Sequence, residues 1–278
     1  MTAVNPRPSA RSNASVVPPA LAVAAVSRLL AHAPGNPRDA ARRFLATAAS
    51  HGIDPALMWA TWDDQGQPRE VCLAVCGSGR TATMFLAPPD PSHSQAEVDR
   101  LGADQARAEA IRAALAGLRQ LGSDRVVLAQ ALASPEEPWA VRAFQEAGFL
   151  GVGRLVYLRR PLGLSGGPSL PDWPPGVSLA SLATFGGVER WRQRLERLLD
   201  ATYEQTLDCP ALCGLRKTSD VLASHLAVGR FDARHWNVLC EGDEWIGCIL
   251  LTRLPEMRSV ELVYFGLTPK ARGRGLGK

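Results

Sequence analysis

The sequence predicts an α/β protein of mixed α+β type: two domains, each a mostly antiparallel sheet flanked by helices, the second incomplete. Three observations predict it. Helix-like and strand-like apolar periodicities follow one another in similar order twice along the 278 residues. A Gly- and Pro-rich stretch at 162–176 separates the two passes and reads as a linker. The second pass closes on an apolar run, Leu262 to Leu267, and a glycine-rich basic loop, Arg272-Gly273-Arg274-Gly275-Leu276-Gly277-Lys278.

Residues 1–36 read as a disordered tail, because Pro, Ser and Ala dominate the opening. Ala20 to Leu30 is apolar and follows Arg7 and Arg11, which is the ground for a signal peptide. Pro18-Pro19, Arg28 and the lack of a small-x-small cleavage site argue against it. The first domain spans 37–161. Asn36-Pro37-Arg38-Asp39 caps and starts a helix that ends near His51-Gly52. Leu57 to Trp62, Val71 to Cys76 and Thr81 to Ala87 are strands joined by short turns, hence an antiparallel meander. A long helix, Gln95 to Leu121, carries Val98, Leu101, Ile111, Leu115 and Leu118 as its apolar set. Val126 to Leu132 is a strand, Pro138 to Ala147 a helix stopped by Gly148, and Val152 to Arg159 a further strand.

The second domain spans 177–278. Val177 to Leu182 is a strand. Val188 to Thr206 is a helix with Trp191, Leu195, Leu198, Leu199 and Thr202 on one face; its arginines 190, 192, 194 and 197 read as a solvated face with Glu189 and Glu196. A second helix runs from Thr218 to Val228. Trp236 to Cys240 and Trp245 to Leu254 form a hairpin, and Val260 to Leu267 the next strand.

Composition excludes some classes. A net charge of +4 over this length is too small for the basic stripe of a nucleic-acid binder. No apolar run approaches the ~20 residues of a membrane helix. Six cysteines in a chain this long are not a disulfide framework. Cys209 and Cys213 have a spacing that suits a metal, but no further pair completes four ligands. Buried free thiols in a reducing cytoplasm are the reading, with no metal.

The closing loop is the chemical signal. Glycines at 273, 275 and 277 let backbone N–H groups approach a ligand, and a helix start there would add its unpaired donors and dipole to an anion site. A P-loop needs Gly, four residues and Gly-Lys-Ser/Thr; five before Gly277 stands Arg272. A Rossmann fingerprint needs Gly-x-Gly-x-x-Gly and belongs to the first βαβ unit; the spacing here is Gly-x-Gly-x-Gly.

The segment Leu267-Thr268-Pro269, two residues, Arg272, two residues, Gly275, one residue, Gly277 resembles the acetyl-CoA-binding signature of the GNAT (N-acetyltransferase) superfamily: Arg or Gln, two residues, Gly, one residue, Gly or Ala, after the fourth strand. In the first half, Ala140 to Phe149 resembles the family's fourth helix with its aromatic-x-x-x-Gly-Phe pattern. The chain is therefore similar to tandem GNAT proteins of the mycothiol synthase type, with two GNAT-like domains, one degenerate and one working. The first half departs from the pattern: its equivalent loop, Pro88-Pro89-Asp90-Pro91-Ser92-His93-Ser94, has no glycine and no arginine, and proline has no N–H to offer a phosphate. The second half departs too, for the family continues past this loop with further helices and strands. The resemblance thus implies a C-terminally truncated domain, poorly soluble and weak in CoA binding, whose general acid lies beyond Lys278.

The resemblance implies an N-acetyltransferase that moves acetyl from acetyl-CoA to an amine by direct attack in a ternary complex. The alternative is a non-catalytic acyl-CoA-binding or scaffold protein built from degenerate folds. Phe265, Gly266 and Leu267 match the segment that pairs with the pantetheine arm; Arg272, Gly273, Arg274, Gly275, Leu276, Gly277 and Lys278 match the pyrophosphate loop. Glu261 matches the strand position of a general base, against the plain reading of a solvent-facing glutamate. By period two it shares a face with Val263 and Phe265. Tyr203, Glu204 and Asp208 fall where the family covers its acceptor pocket, though capping and solvated roles suit them equally. His225 reads as a surface or satisfied core residue rather than a base. The expected partner is a small-molecule or peptide amine, with no nucleic acid and no membrane. The acceptor and the oligomeric state are left open.

Overall fold

The computed structural model describes residues 13–90, 97–162 and 173–277, with the backbone alone for 97–101. The expectations for residues 1–12, Pro91 to Ser94, most of the linker, the side chains of Val98 and Leu101, and Lys278 lie outside the described residues. The fold is mixed α/β, with two sheets flanked by helices. The chain divides into two compact units, Met1–Gly151 and Val152–Lys278.

Among its described residues the first unit has five strands in the order β1 (Ala14–Val16), β2 (Met58–Trp62), β3 (Pro68–Gly77), β4 (Thr81–Leu86) and β5 (Leu128–Gln130). The first three pairings are antiparallel and β4–β5 is parallel. Strand alternation sends Met58, Ala60, Val71 and Leu73 to one face, under α1 (Ala22–Leu29) and α2 (Pro37–Thr47). It sends Trp59, Cys72 and Ala74 to the other, under α3 (Glu97–Gln120) and α4 (Pro138–Glu146). Asn36 caps α2 as its sequence implies: its Oδ1 accepts from the N–H of Arg38 at 2.9 Å and of Asp39 at 3.4 Å. Gly148 follows α4 at φ +95°, a left-handed turn that lets Phe149 fold back on Phe144 at 5.0 Å.

Two expectations need correction here. The tail does not run unstructured to residue 36. β1 adds an edge to β2, Val17 is buried, and the small side chains of Ala25 and Val26 let α1 lie close on the sheet. The strand expected at Val152 to Arg159 is also not found. That segment pairs with no strand among the described residues, and Val156, Tyr157 and Leu158 are exposed. A strand needs a partner edge, and none of the described strands takes this segment as a neighbour.

An ion cluster is buried between β3 and α3. Arg107, 4% exposed, meets the Glu70 carboxylate at 3.1 Å and Asp104 at 3.0 Å, and Arg142 reaches Asp104 at 2.9 Å. The Arg107 guanidinium lies over Trp139 at 5.1 Å. Burial pushes the Glu70 carboxyl up to about 7, against the pull of Arg107.

Trp59 in turn fixes a glycine. A Cβ on Gly117 of α3 would lie 2.2 Å from Cζ2 of this buried ring, whereas one on Gly102 of the same helix meets nothing within 4 Å. Overpacking costs about 1–3 kcal/mol, against about 1 kcal/mol gained in helix propensity. We expect Gly117→Ala to lower the stability of the first unit and Gly102→Ala to raise it. Urea unfolding of both variants checks the opposite signs.

Among its described residues the second unit has four antiparallel strands in the order β6 (Val177–Ser181), β7 (Trp236–Glu241), β8 (Glu244–Leu254) and β9 (Ser259–Leu267). α5 (Val188–Tyr203) and α6 (Thr218–Leu226) cover one face. The five residues expected on the apolar face of α5, Trp191 to Thr202, are its buried residues. The arginine face is only partly solvated: Arg194 stacks on Trp245 at 4.2 Å and donates to the Asp243 carbonyl. α5 stops three residues short of Thr206, because Glu204 leaves the helical region and Gln205 turns to φ +51°. On the other face Leu239, Ile246, Ala271 and Leu276 form a small cluster with Leu267.

Candidate functional site

Strand β9 delivers the glycine-rich loop. Thr268 leaves the strand, and its N–H donates to the Ile246 carbonyl at 2.9 Å. Ala271 and Leu276 then sink into the cluster on the helix-free face and anchor both ends of the loop. Between them Gly273 and Gly275 stand exposed at φ +73° and +74°, a conformation in which a side-chain-bearing residue is strained. Among the described residues, no hydrogen bond from the N–H groups of Gly273 to Gly277 ends on the protein. Exposed, unpaired N–H groups on a loop with little side-chain bulk fit an anionic group such as a pyrophosphate.

The two arginines of the loop are turned to the protein. Arg272 donates to four backbone carbonyls: Leu267 at 3.1 Å, Thr202 at 2.8 Å, Glu204 at 2.8 Å and Gln205 at 3.3 Å. Arg274 forms a two-pronged pair with Glu241 at 2.6 and 3.1 Å, and that hydrogen-bonded guanidinium holds the Glu241 carboxyl below its usual range. In this conformation the loop offers its backbone rather than its guanidinium groups.

A bulge in β9 changes which side chains share a face. Leu250 pairs with Tyr264 but Leu251 pairs with Leu262, so β9 carries one extra residue, Val263. Period-two alternation grouped Glu261 with Val263 and Phe265. In the structure Glu261 lies opposite Thr252, on the helix-covered side with Tyr264 and Gly266, while Phe265 pairs with Ile249 and sits beneath Gly277. Glu261 is exposed. Thr252 beside it is buried and donates to the Val228 carbonyl at 2.9 Å.

Tyr264 gathers a cluster that sequence reasoning missed. Its hydroxyl is 2.8 Å from Thr202 Oγ1, its ring meets Tyr203 edge-on at 5.7 Å, and His225 stacks on it at 5.6 Å. A Cβ on Gly266 would fall 2.6 Å from the Tyr264 hydroxyl, so the ring folds across this glycine. Burial pushes the Tyr264 phenol up to about 12 and also raises Tyr203. Burial, then Arg216, lowers His225 to about 4. Near neutral pH the cluster is therefore two protonated phenols and a neutral imidazole whose Nε2 is buried without a hydrogen-bond partner. The only sequence signal was the aromatic character of the strand; its face could not be assigned without the bulge.

Of the residues matched to an acceptor pocket, Tyr203 joins this cluster. Glu204 contributes its carbonyl to Arg272, and Asp208 lies on an exposed turn, its N–H donating to Thr206 Oγ1 at 3.1 Å. All six cysteines are free. Cys72, Cys240 and Cys248 are buried, whereas Cys213 is exposed, contrary to its reading as a buried thiol. Among the described residues no group of three His, Cys, Asp or Glu side chains is placed to hold a metal, and no helix is long and apolar enough to cross a membrane.

No family model matches the chain, and neither does any curated protein. Solved structures do resemble it. A GCN5-related N-acetyltransferase from Sphaerobacter thermophilus superposes with a TM-score of 0.49 at 14% identity, over 95% of this chain and 78% of that one. A protein described as a probable acetyltransferase superposes with a TM-score of 0.34 at 12% identity, over 52% of this chain and 91% of that one.

Proposed function

We propose that the second unit is an N-acetyltransferase that uses acetyl-CoA and delivers the acetyl group to an amine in a ternary complex. One observation carries this reading: the loop after β9, anchored by Ala271 and Leu276, presents unpaired backbone N–H groups between glycines at positive φ. Gly273 to Gly277 would hold the pyrophosphate, and Gly266 and Leu267, on the free edge of β9, would flank the pantetheine arm. The thioester supplies an already activated acyl carbon. The chain's own task is to seat the amine and take its proton, since an alkylamine is protonated near neutral pH. Glu261 is the carboxylate on β9 for that role, and the Tyr203–Tyr264–His225 cluster would line the acceptor side.

The first unit has no such role in this proposal. The described start of its corresponding loop, Pro88 to Asp90, is held by Arg28, which donates to the Pro88 carbonyl at 3.3 Å and meets Asp90 at 3.7 Å. That contact, with the two prolines, favours a structural part for this unit.

Isothermal titration of the full chain with acetyl-CoA tests the reading. Heat and thermal protection are expected; no signal at millimolar ligand would overturn it. Gly275→Asp is expected to weaken binding by about thirty-fold, since a carboxylate near a phosphate costs about 2 kcal/mol at a partly screened site. Gly275→Asn, which tolerates positive φ and adds no charge, is expected to cost only a few-fold.

A further inference from the structure

We propose that Arg272 is a positioning residue: it ties the glycine-rich loop to the acceptor-side end of α5, so that a ligand on the loop and order at residues 203–208 are coupled. The functional half of this inference rests on the acetyltransferase reading. The structural half rests on four hydrogen bonds. A guanidinium has five N–H donors and no acceptor. Here Nε serves the last carbonyl of β9, at Leu267, while the two Nη atoms serve Thr202, Glu204 and Gln205. Thr202 lies in the last turn of α5, where helix carbonyls lack intrahelical partners and carry the negative end of the dipole, and Glu204 and Gln205 follow directly as the chain leaves the helix.

The bridge has consequences on both sides. Thr202 and Glu204 flank Tyr203, so clamping their carbonyls fixes the backbone from which Tyr203 packs on Tyr264. Gln205 is held at φ +51°, which a non-glycine residue adopts at a cost. On the loop side, Arg272 directly precedes Gly273, so its side chain sets where the N–H row begins. To reach a phosphate, the guanidinium would have to abandon the Thr202 carbonyl at the helix C-terminus and the Glu204 and Gln205 carbonyls just after it. The charge of Arg272 thus assists an anion from a distance, while its fork holds the corner together.

Arg272→Lys separates the two roles, because lysine keeps the charge and loses the planar fork. Hydrogen exchange is read by mass spectrometry on the full chain, wild type and variant, with and without coenzyme A. Coupling of this kind corresponds to about five-fold or more. Without ligand, the lysine variant is expected to exchange faster by that factor at 204–208, where the N–H groups of Thr206 and Asp208 are hydrogen-bonded, whereas the unpaired N–H groups of 273–277 report on the ligand. Saturating coenzyme A is expected to slow both segments in the wild type but only the loop in the variant, with Kd changed by less than about three-fold. Gln205→Gly loosens the far end without touching Arg272 and is expected to lessen the slowing that coenzyme A produces at 204–208, which keeps the test open if the lysine variant misfolds. A variant that loses coenzyme A affinity ten-fold while 204–208 is unmoved would make Arg272 a phosphate ligand and overturn the proposal. Unmoved exchange at 204–208 would overturn it as well. Failure of the wild type to bind coenzyme A would instead sink the acetyltransferase reading, and the ligand-free comparison would still decide the coupling.

Discussion

Replacing Arg107 by methionine is expected to destabilise the first unit by about 3–5 kcal/mol, the cost of removing one partner from a buried ion cluster. Arg107 contacts Glu70 and Asp104 at once, with Arg142 as the second cation on Asp104, and the Glu70, Asp104 and Arg107 side chains are nearly inaccessible. Methionine fills much of the volume but leaves Glu70 with no charged partner in contact. The pH dependence follows from the carboxyl. Its folded value, about 7, lies above its unfolded value of 4.5. The folded state therefore binds the extra proton, and stability from this group is complete below pH 4.5 and is lost as pH rises through 7. Without Arg107 the folded value rises further, so the loss continues above pH 7. The gap between wild type and variant should thus widen from pH 6 to pH 8. Urea unfolding at both pH values, with exchange of the β3 and α3 amides to localise it, checks the result. A cost under about 1 kcal/mol, or a gap that narrows with pH, would show that the cluster is not a charge-balanced core. Adding Glu70→Gln to the variant should recover part of the loss, because it removes the unpaired charge.

The sheets and most helices were legible because they depend on local periodicity. The α5 stripe from Trp191 to Thr202 and the hairpin from Trp236 to Leu254 read directly as burial patterns. The glycine loop was legible for a similar reason, since glycine at 273 and 275 answers a backbone requirement that the dihedrals now display. What failed depended on partners far away in sequence. β1 is three residues long and exists through its pairing with β2, 43 residues on at its closest register pair, Val16 with Trp59, and no local pattern announces it. The segment from Val152 has a strand's composition and pairs with no strand among the described residues. Arg272 carries a charge that suggests phosphate, yet its four acceptors are carbonyls supplied by β9 and the end of α5. A single extra residue at Val263 reverses the face of everything before it, and no residue type marks that insertion. The face of Glu261 was thus reached through the wrong neighbours.

That bulge shapes the largest functional effect we expect. Glu261→Gln should lower the rate of thiol release from acetyl-CoA by about 10²–10⁴-fold, the usual worth of a positioned base, while acetyl-CoA affinity stays within about two-fold. The separation of effects follows from position. Glu261 is six residues from Leu267, so roughly 20 Å of strand at 3.3 Å per residue lies between it and the phosphate loop. Glutamine keeps the shape and the exposed, unpaired setting of the side chain and removes only its ability to accept a proton. With Glu261 on the side of β9 that bears Tyr264, an amine bound against the tyrosine cluster would meet the carboxylate along the same strand face. Thiol release by the full chain is measured over a panel of primary amines, including a polyamine, an amino acid and an aminoglycoside. A loss below about three-fold in the variant, on an amine that the wild type acetylates, would remove Glu261 from the mechanism. Coenzyme A binding without thiol release on any amine would favour the non-catalytic reading of the whole chain. The two results differ in kind, because the first changes one residue's role and the second changes what the glycine-rich loop is for.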